Sequence, residues 1–343
     1  MKTTHKKIWR TLQVAVWLVG FAIFSSLLFF PAVGIMLFWN ILIPVAPLLI
    51  VVAVGVWRNV CPLATINLLP RHLGISKRKI MTPELQAKLG LISVLALYII
   101  VPLRHAIFNT NGQATAILIF SMIVLGLWMG SRYEWKSAWC STLCPVHPVE
   151  RLYGNNVFGA VGNAHCDKCQ NCVVPCPDST PNMNPRLVKK NIFSQISGLL
   201  ITGGLPGFVW GWFHVPDHDG ISSGYDLFRV YEMPLLGMAV TLTVYLVLLN
   251  ARLVREMWLV RVFSTAAVSC YYWYRIPSLL GFGQFETDGV LYNAKNVIPY
   301  WSIEVMISAT TLFFILWLLI RKPNKQSWVV RPAFAEKREV GVN

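Results

Sequence analysis

The sequence predicts an all-α polytopic membrane protein with about eight transmembrane helices. Hydrophobic residues make up 55% of its 343 positions and charged residues only 13%, which leaves too little polar surface for a water-soluble domain. The apolar residues also gather in stretches of about 20, the length that crosses a bilayer as a helix. Lys and Arg collect in every second connection between those stretches, which places them on one side of the membrane, as the positive-inside rule requires.

The first apolar stretch holds two of the predicted helices. Residues 11–57 contain no Lys, Arg, Asp or Glu. This stretch is too long for one span and lacks the small-residue cleavage site of a secretory signal, so we expect two helices that turn near 31–40. The other predicted spans are 87–108, 113–131, 191–213, 235–251, 262–282 and 299–320.

The spans divide the chain into four parts. These are a four-helix membrane part (1–131) with a Cys-Pro loop (58–86), a cytoplasmic segment (132–190), a second four-helix membrane part (191–320) and a cytoplasmic basic tail (321–343). The segment 132–190 is rich in Cys, Pro, Asn and Gly and cannot bury much apolar area. We therefore expect a cofactor to organise it.

The net charge of +15 follows from membrane topology. If the N-terminus is cytoplasmic, the opposite side receives only four of the 30 Lys and Arg residues, namely Arg104, Arg229, Arg275 and Lys295. The basic balance then requires no nucleic acid, and it favours anionic membrane lipid as a partner. The expected location is the bacterial cytoplasmic (inner) membrane, with both termini and the cysteine-rich segment on the cytoplasmic side.

A cysteine run in the segment 132–190 predicts an iron–sulfur cluster. In HCDKCQNCVVPCP, residues Cys166, Cys169, Cys172 and Cys176, followed by Pro177, fit the spacing C-x2-C-x2-C-x3-C-P. This spacing is typical of ferredoxins that hold a [4Fe-4S] cluster. A structural zinc site would favour paired C-x2-C knuckles, and a reducing compartment disfavours disulfides. The fold class therefore includes a small ferredoxin-like cytoplasmic iron–sulfur segment.

Three more cysteines lie on the same predicted side. Cys61 and Cys144 each precede a proline just past an even-numbered span, in the weakly repeated stretches VCPLATINLLPRHLG and LCPVHPVERLYG, and Cys140 lies four residues before Cys144. Two arrangements stay open. Either the close four cysteines hold one cubane alone, or Cys176 joins Cys61, Cys140 and Cys144 in a second cubane. The eighth cysteine, Cys270, is expected as a small buried side chain within its span.

The stretches WCSTLCPVHPVERLYG and HCDKCQNCVVPCP resemble the membrane-bound polyferredoxins of the NapH/NosR type and the cytochrome oxidase accessory ferredoxins. The resemblance covers about residues 50–190 and implies quinol-linked electron transfer through iron–sulfur centres. The chain departs from that pattern in three ways. Trp57 stands where the first C-x3-C-P motif has a cysteine, one ferredoxin run is present instead of two, and the last four spans have no matching part.

Several other polar residues are candidate site residues. His147 and His165 flank the cysteine runs and are expected to hydrogen-bond around a cluster, while Lys168 adds positive charge. Arg275 and Glu304 are expected to pair, and Glu304 or His105 is a candidate acceptor for quinol protons. His214 and His218 are expected as polar loop residues. A haem is not expected, since nothing requires His105 and His214 to face each other.

The sequence thus predicts an electron-transfer protein that passes single electrons between the quinone pool, or a membrane partner, and a redox enzyme. The expected protein partner is a ferredoxin, a flavodoxin or a respiratory enzyme subunit, docked on the basic segment. The chain would be a subunit of a quinol-linked oxidoreductase and not a stand-alone enzyme. Two alternatives are an assembly or maturation factor that handles metal or thiols, and a membrane redox sensor.

Overall fold

The fold is all-α in the part of the chain that the structure describes. The computed structural model describes residues 3–79, 81–133, 138–154, 158–159, 161–162, 184–186, 191–218, 224–285 and 288–322. No sheet occurs within these residues. The ferredoxin-type run with Cys166, Cys169, Cys172 and Cys176 lies outside them, as do His165 and Lys168.

Thirteen α-helices and five π-helical segments make up the described fold. The α-helices are α1 (Thr3–Phe29), α2 (Pro31–Ile35), α3 (Ile43–Val60), α4 (Pro62–Asn67), α5 (Leu69–His72), α6 (Pro83–Ile100), α7 (Gly112–Arg132), α8 (His147–Tyr153), α9 (Ile192–Leu199), α10 (Leu205–Trp212), α11 (Gly224–Ala251), α12 (Glu256–Leu279) and α13 (Tyr300–Phe314). The π-helical segments are Met36–Leu42, Arg104–Phe108, Trp139–Leu143, Leu200–Gly204 and Ile315–Ile320.

Seven helical stretches are long and apolar enough to cross a membrane. They are Lys7–Phe29, Pro31–Asn67, Pro83–Ile100, Gly112–Arg132, Ile192–Trp212, Leu227–Ala251 and Tyr300–Ile320. The chain is therefore a multi-pass membrane protein, and these stretches match seven of the eight predicted spans. The predicted turn within 11–57 falls at Phe30, one residue before the range 31–40 near which we expected it.

The remaining predicted span, 262–282, was wrong by this criterion. It forms most of the 24-residue helix α12, which is long enough but too polar to count as an apolar span. Some of its polar side chains bond to backbone oxygens of neighbouring segments. Arg261 donates to the carbonyl oxygens of Leu318, Leu319 and Arg321, which end the last span.

Glycines let two helix pairs approach closely. A Cβ atom on Gly34 of α2 would lie 2.4 Å from the backbone nitrogen of Leu27 in α1, so the first hairpin closes tightly. In the second half, a Cβ atom on Gly207 of α10 would lie 1.9 Å from the carbonyl oxygen of Gly237 in α11. Small residues at such crossings are typical of helix packing in membranes.

Both halves of the chain share one core. Side chains from α3, α6, α10, α12 and α13 meet in it, and α8 contributes Leu152 and Tyr153. We expected 138–154 as part of a cytoplasmic loop, but this stretch packs into the bundle. Ala138, Trp139 and His147 are all less than 5% exposed.

Candidate functional site

The candidate site forms where two Cys-Pro turns meet. Cys61 has φ −56° and ψ 121°, and Cys144 has φ −61° and ψ 122°, so the two backbones are nearly superimposable at this point. A residue before proline is pushed out of the helical region into this extended conformation. Each cysteine therefore ends one helical segment. The next helix, α4, starts at Pro62 itself after Cys61, and α8 starts two residues after the proline that follows Cys144.

The two turns differ by one residue in the preceding helix. The amide of Cys61 donates to the carbonyl of Trp57, four residues back, at 3.0 Å. The amide of Cys144 donates to the carbonyl of Trp139, five residues back, at 2.9 Å, because the chain is π-helical there. In the structure Trp139 therefore takes the place of Trp57, whereas the sequence repeat aligns Cys140 with Trp57. The extra residue of the π-helical turn places Cys140 in the site.

The three cysteines come together in one apolar cluster. Cys140 is buried, and the half-buried Cys61 and Cys144 pack against the same core residues, Ala64, Met81, Met129, Ala138 and Trp139. All three are thiols that take no part in a disulfide among the residues that the structure describes. Within the described residues, no group of three or more Cys, His, Asp or Glu side chains is arranged to hold a single metal ion.

The surroundings of Cys144 favour its neutral form. Burial raises the pKa of the Cys144 thiol well above its ordinary value, and the nearby Cys140, Glu150 and Cys61 act in the same direction. The negative charge that these three neighbours carry or can gain thus opposes ionisation of the Cys144 thiol. A metal centre reverses this preference, because coordination deprotonates a thiol.

A buried polar network lies beside the cysteine cluster. Arg58, on the last turn of α3, forms an ion pair with Glu150 of α8, and both side chains are at most 6% exposed. Trp57 donates from Nε1 to Glu150 Oε1 at 2.9 Å, and His147 Nδ1 lies 3.2 Å from Glu150 Oε2. Arg58 also donates to the carbonyl oxygen of Cys140 at 3.4 Å. The network therefore ties the second Cys-Pro turn to the first hairpin.

The network keeps Glu150 ionised and His147 neutral. Burial acts to raise the pKa of Glu150, but the Arg58 charge and the His147 hydrogen bond outweigh it and lower that pKa to about 2. Burial lowers the pKa of His147 to about 4, although Glu150 opposes the shift. The neutral imidazole then donates its Nδ1–H to the carboxylate. Our expectation that His147 hydrogen-bonds near the cysteines is consistent with this geometry.

Sequence reasoning missed Arg58, Glu150 and Trp57 as site residues. Two signals were available. Arg58 and Glu150 are charged residues next to the Cys-Pro motifs in predicted membrane-proximal helices, where charges are costly unless paired. The second signal is position 57, where Trp57 replaces the motif cysteine and its indole donates a hydrogen bond to Glu150.

At the other end of α6, a second polar cluster joins loops from both halves of the chain. His105 Nδ1 lies 2.5 Å from Asp217 Oδ1, and Arg104 lies 3.8 Å from the same carboxylate. The predicted Arg275–Glu304 pair is wrong. Arg275 donates to the carbonyl oxygen of Trp39 at 2.7 Å and to Asn40 Oδ1 at 3.0 Å, and Glu304 is exposed on α13.

The remaining histidines behave as loop residues. His214 and His218 lie in the connection after α10, where each has Nδ1 within 3 Å of a nearby backbone carbonyl oxygen. His105 and His214 use their Nδ1 atoms for different partners, Asp217 and the Trp210 carbonyl.

Comparison with protein-family models, curated proteins and solved structures finds no match to this chain. The likeness to membrane polyferredoxins therefore rests on the cysteine motifs, and its functional content belongs to the proposal below.

Proposed function

We propose that this chain is a membrane iron–sulfur protein that passes single electrons between the quinone pool, or a membrane partner, and a redox enzyme. The observation that carries the proposal is the meeting of Cys61, Cys140 and Cys144 in one apolar cluster. Two separate Cys-Pro turns with matching backbone deliver these thiols. The ferredoxin-type run follows the second turn in sequence.

The cysteine cluster offers part of the ligand set of a cubane. A [4Fe-4S] cluster takes four thiolates, and Cys61, Cys140 and Cys144 would supply three of them from one apolar cluster. Cys176 would supply the fourth thiolate, with Cys166, Cys169 and Cys172 on a first cluster. When bound, such a cluster supplies one-electron transfer without the making or breaking of bonds.

The chain's own residues hold and shield the thiols. The ion pair between Arg58 and Glu150 fixes the second turn against α3, and Ser93 donates to the Cys144 carbonyl oxygen at 2.6 Å from α6. The apolar packing around the thiols lowers the local dielectric, which tunes a cluster's reduction potential. In this proposal the cysteine end faces the cytoplasm, and its basic segments dock an acidic ferredoxin, flavodoxin or enzyme subunit.

A second candidate is an assembly or maturation factor. The observation that favours it is that Cys61, Cys140 and Cys144 lie close to one another as thiols and not as disulfides in the described part of the chain. Thiols in this state are able to accept and pass on a metal ion. The third hypothesis, a membrane redox sensor, stays a prediction from sequence.

Metal analysis separates the first two candidates. Iron, acid-labile sulfide and zinc are measured per chain in anaerobically purified protein, together with Cys61→Ser, Cys144→Ser and the control Cys270→Ser, whose thiol lies in α12 away from the cluster. We expect about eight irons in the unmodified chain, corresponding to two cubanes, and about four in the first two variants.

Other outcomes have definite meanings. About four irons in every protein would leave the three thiols without a cluster and favour the maturation role. Zinc in place of iron would overturn the electron-transfer proposal.

A further inference from the structure

The second polar cluster stands at the opposite end of the bundle from the cysteines. Ser93 of α6 contacts Cys144, and about 10 Å of helical rise separates Ser93 from Ile100, where α6 ends. The π-helical segment Arg104–Phe108 follows. Loops from both halves of the chain meet there. The amide of His218 donates to the carbonyl oxygen of His105 at 2.8 Å, and the amide of Asp217 donates to Asp288 Oδ2 at 2.7 Å.

His105 has the geometry of an oriented base. Its Nδ1 is 2.5 Å from Asp217 Oδ1, its side chain is 5% exposed, and its Nε2 is buried with no hydrogen-bond partner among the described residues. Burial lowers the pKa of His105 below its ordinary value, while Asp217 and Asp288 act to raise it and Arg104 to lower it. The ring is therefore neutral, Nδ1 carries the proton that Asp217 accepts, and Nε2 presents a lone pair.

Two buried guanidinium groups lie beside this base. Arg104 sits 5.2 Å from the ring centre of Trp212, which also packs against the His105 ring at 4.6 Å. Arg275 is 2% exposed, and the hydrogen bonds that the structure describes for it go to two neutral acceptors, at Trp39 and Asn40. The Nε atoms of both arginines are buried and have no partner in the described chain.

Gly289 marks where the two arginines come together. A Cβ atom on it would lie 2.5 Å from Arg275 Nη1 and 3.4 Å from Arg104 Nη2, and its φ of +69° suits glycine. The loop before α13 thus brings its bare backbone up to both guanidinium groups.

The unpaired atoms indicate which chemical groups a ligand of this cluster would carry. Buried polar groups in proteins are almost always hydrogen-bonded, so an unpaired group calls for a specific explanation. Here one lone pair and two N–H donors are unpaired in the same cluster. A hydroxyl group that gives its proton to His105 and becomes an oxyanion next to Arg104 and Arg275 would use all three.

We propose that His105 and Asp217 form a general-base pair for a membrane-soluble aromatic alcohol of the hydroquinone class, with Arg104 and Arg275 holding the resulting oxyanion. The walls of the site favour an aromatic ring, because Trp39 and Trp212 flank Arg104 and Phe108 stacks on Trp39. This inference rests on the proposed function and specifies its membrane-side electron donor as a hydroquinone. Glu304, the other candidate acceptor, is exposed on α13 and contributes nothing to this cluster.

The proposed step is a proton transfer alone. The O–H bond of the aromatic alcohol breaks, its electron pair stays on oxygen, and the proton forms a new bond to His105 Nε2. The imidazolium that results keeps its Nδ1–H bond to Asp217, whose negative charge stabilises it. The proton is accepted at the end of the bundle away from the cysteines, so the site would separate the path of the proton from the path of the electron.

A redox-inert probe tests this step. An alkyl-substituted 4-nitrophenol changes absorbance when it loses its proton, so binding and ionisation are read together. The full chain in detergent is titrated with the probe between pH 5 and pH 8. We expect at least about tenfold more phenolate at pH 6 than for the probe in empty micelles, which corresponds to a bound pKa about one unit lower.

Matched variants assign the base. His105→Gln keeps a polar side chain but cannot take up a proton, so the phenolate band should fall to the empty-micelle level. Asp217→Asn tests a positioning role, and it should move the pH profile of the band upward. His214→Gln changes a histidine of the same loop that does not face the cluster, and it should leave the band unchanged. Phenolate formation that survives in His105→Gln would overturn the proposal.

One measurement needs no variant. Histidine ¹⁵N resonances of the unmodified chain should contain one Nδ1–H imidazole that becomes doubly protonated when the probe binds, and no such change would also overturn the proposal. Iron is counted in the same samples. Phenolate formation in a protein without iron would overturn the proposed electron transfer and support the proposed base site. Iron without phenolate formation would overturn only the proposed base site.

Discussion

At the residue scale, Glu150 has the most demanding environment near the cysteines. It is a buried carboxylate that pairs with the Arg58 guanidinium and accepts hydrogen bonds from Trp57 and His147. A buried ion pair adds little net stability compared with apolar residues of the same volume, but the loss of one partner leaves an uncompensated charge. In the absence of Glu150, Arg58 would be that uncompensated charge. Arg58 also donates a hydrogen bond to the carbonyl oxygen of Cys140.

We therefore expect Glu150→Gln to destabilise the protein by about 3–5 kcal/mol, because the amide preserves shape but not charge. The thermal midpoint in detergent measures the effect. Glu84→Gln is the matched control, since Glu84 pairs with Lys88 across one turn of α6 with both side chains exposed, and it should cause no measurable change. Equal midpoints for the two variants would show that the Arg58 pair is not structurally important.

His147 should make stability depend on pH. Its pKa is about 4 in the folded protein and about 6.5 in an unfolded chain, so the unfolded state binds more protons between these values. Stability is then lost as pH falls from about 6.5 to 4, by at most about 3 kcal/mol. Glu150, whose folded pKa is about 2, adds a further loss only below its ordinary pKa.

The test is the thermal midpoint measured from pH 7.5 to pH 4.5 for the unmodified chain and for His147→Gln. The glutamine cannot be protonated, so its midpoint should fall less steeply with acid. Parallel curves would assign the acid sensitivity to other groups, such as the buried His105.

At the element scale, glycine contacts set the spacing of α10 and α11. Gly207 and Gly211 of α10 approach the carbonyl oxygens of Gly237 and Met233 in α11, closer than any Cβ atom allows. These glycines have the G-x3-G spacing, which was readable from the sequence. The partner helix was not readable, because that spacing does not say which face it meets.

Gly207→Ala should push the two helices apart. The added Cβ atom would lie 1.9 Å from a backbone oxygen that cannot rotate away, and we expect a loss of about 3 kcal/mol, seen as a lower thermal midpoint. Gly90→Ala is the control. Gly90 lies in α6 with open space around it, and the same change there should be neutral or stabilising by up to about 1 kcal/mol. A similar loss in both would point to a cause other than the helix contact.

At the scale of the whole molecule, the two polar clusters occupy opposite ends of one bundle. The predicted topology places the cysteine end in the cytoplasm. Two variants, each with one introduced cysteine, report the two sides of the membrane. They are Leu73→Cys, in the connection after α5, and Asn293→Cys, in the loop before α13, and both positions are exposed.

A membrane-impermeant thiol reagent should label Leu73→Cys only in inverted membrane vesicles and Asn293→Cys only in right-side-out vesicles. Labelling of the unmodified chain, which has eight cysteines, is the background to subtract. The reverse pattern would invert the topology and place the cysteine end outside.

Composition and apolar run length by themselves determined the membrane class and the position of seven spans, because a bilayer imposes length and hydropathy on any helix that crosses it. The remaining predicted span, in α12, is too polar for that rule, and its Arg261 and Arg275 donate to backbone oxygens of other segments. The cysteine spacing determined a metal hypothesis for the same local reason, as ligands a few residues apart are constrained by the chain itself.

Only the tertiary structure decided what lies together over long separations in sequence. It placed Cys61 beside Cys144, paired Arg58 with Glu150, and set His105 against Asp217. Arg275, which we expected to pair with Glu304, donates instead to the carbonyl oxygen of Trp39. Buried charges take whichever partner the packing of helices brings within reach, and helix packing depends on shape at many positions at once. No local sequence pattern contains that information.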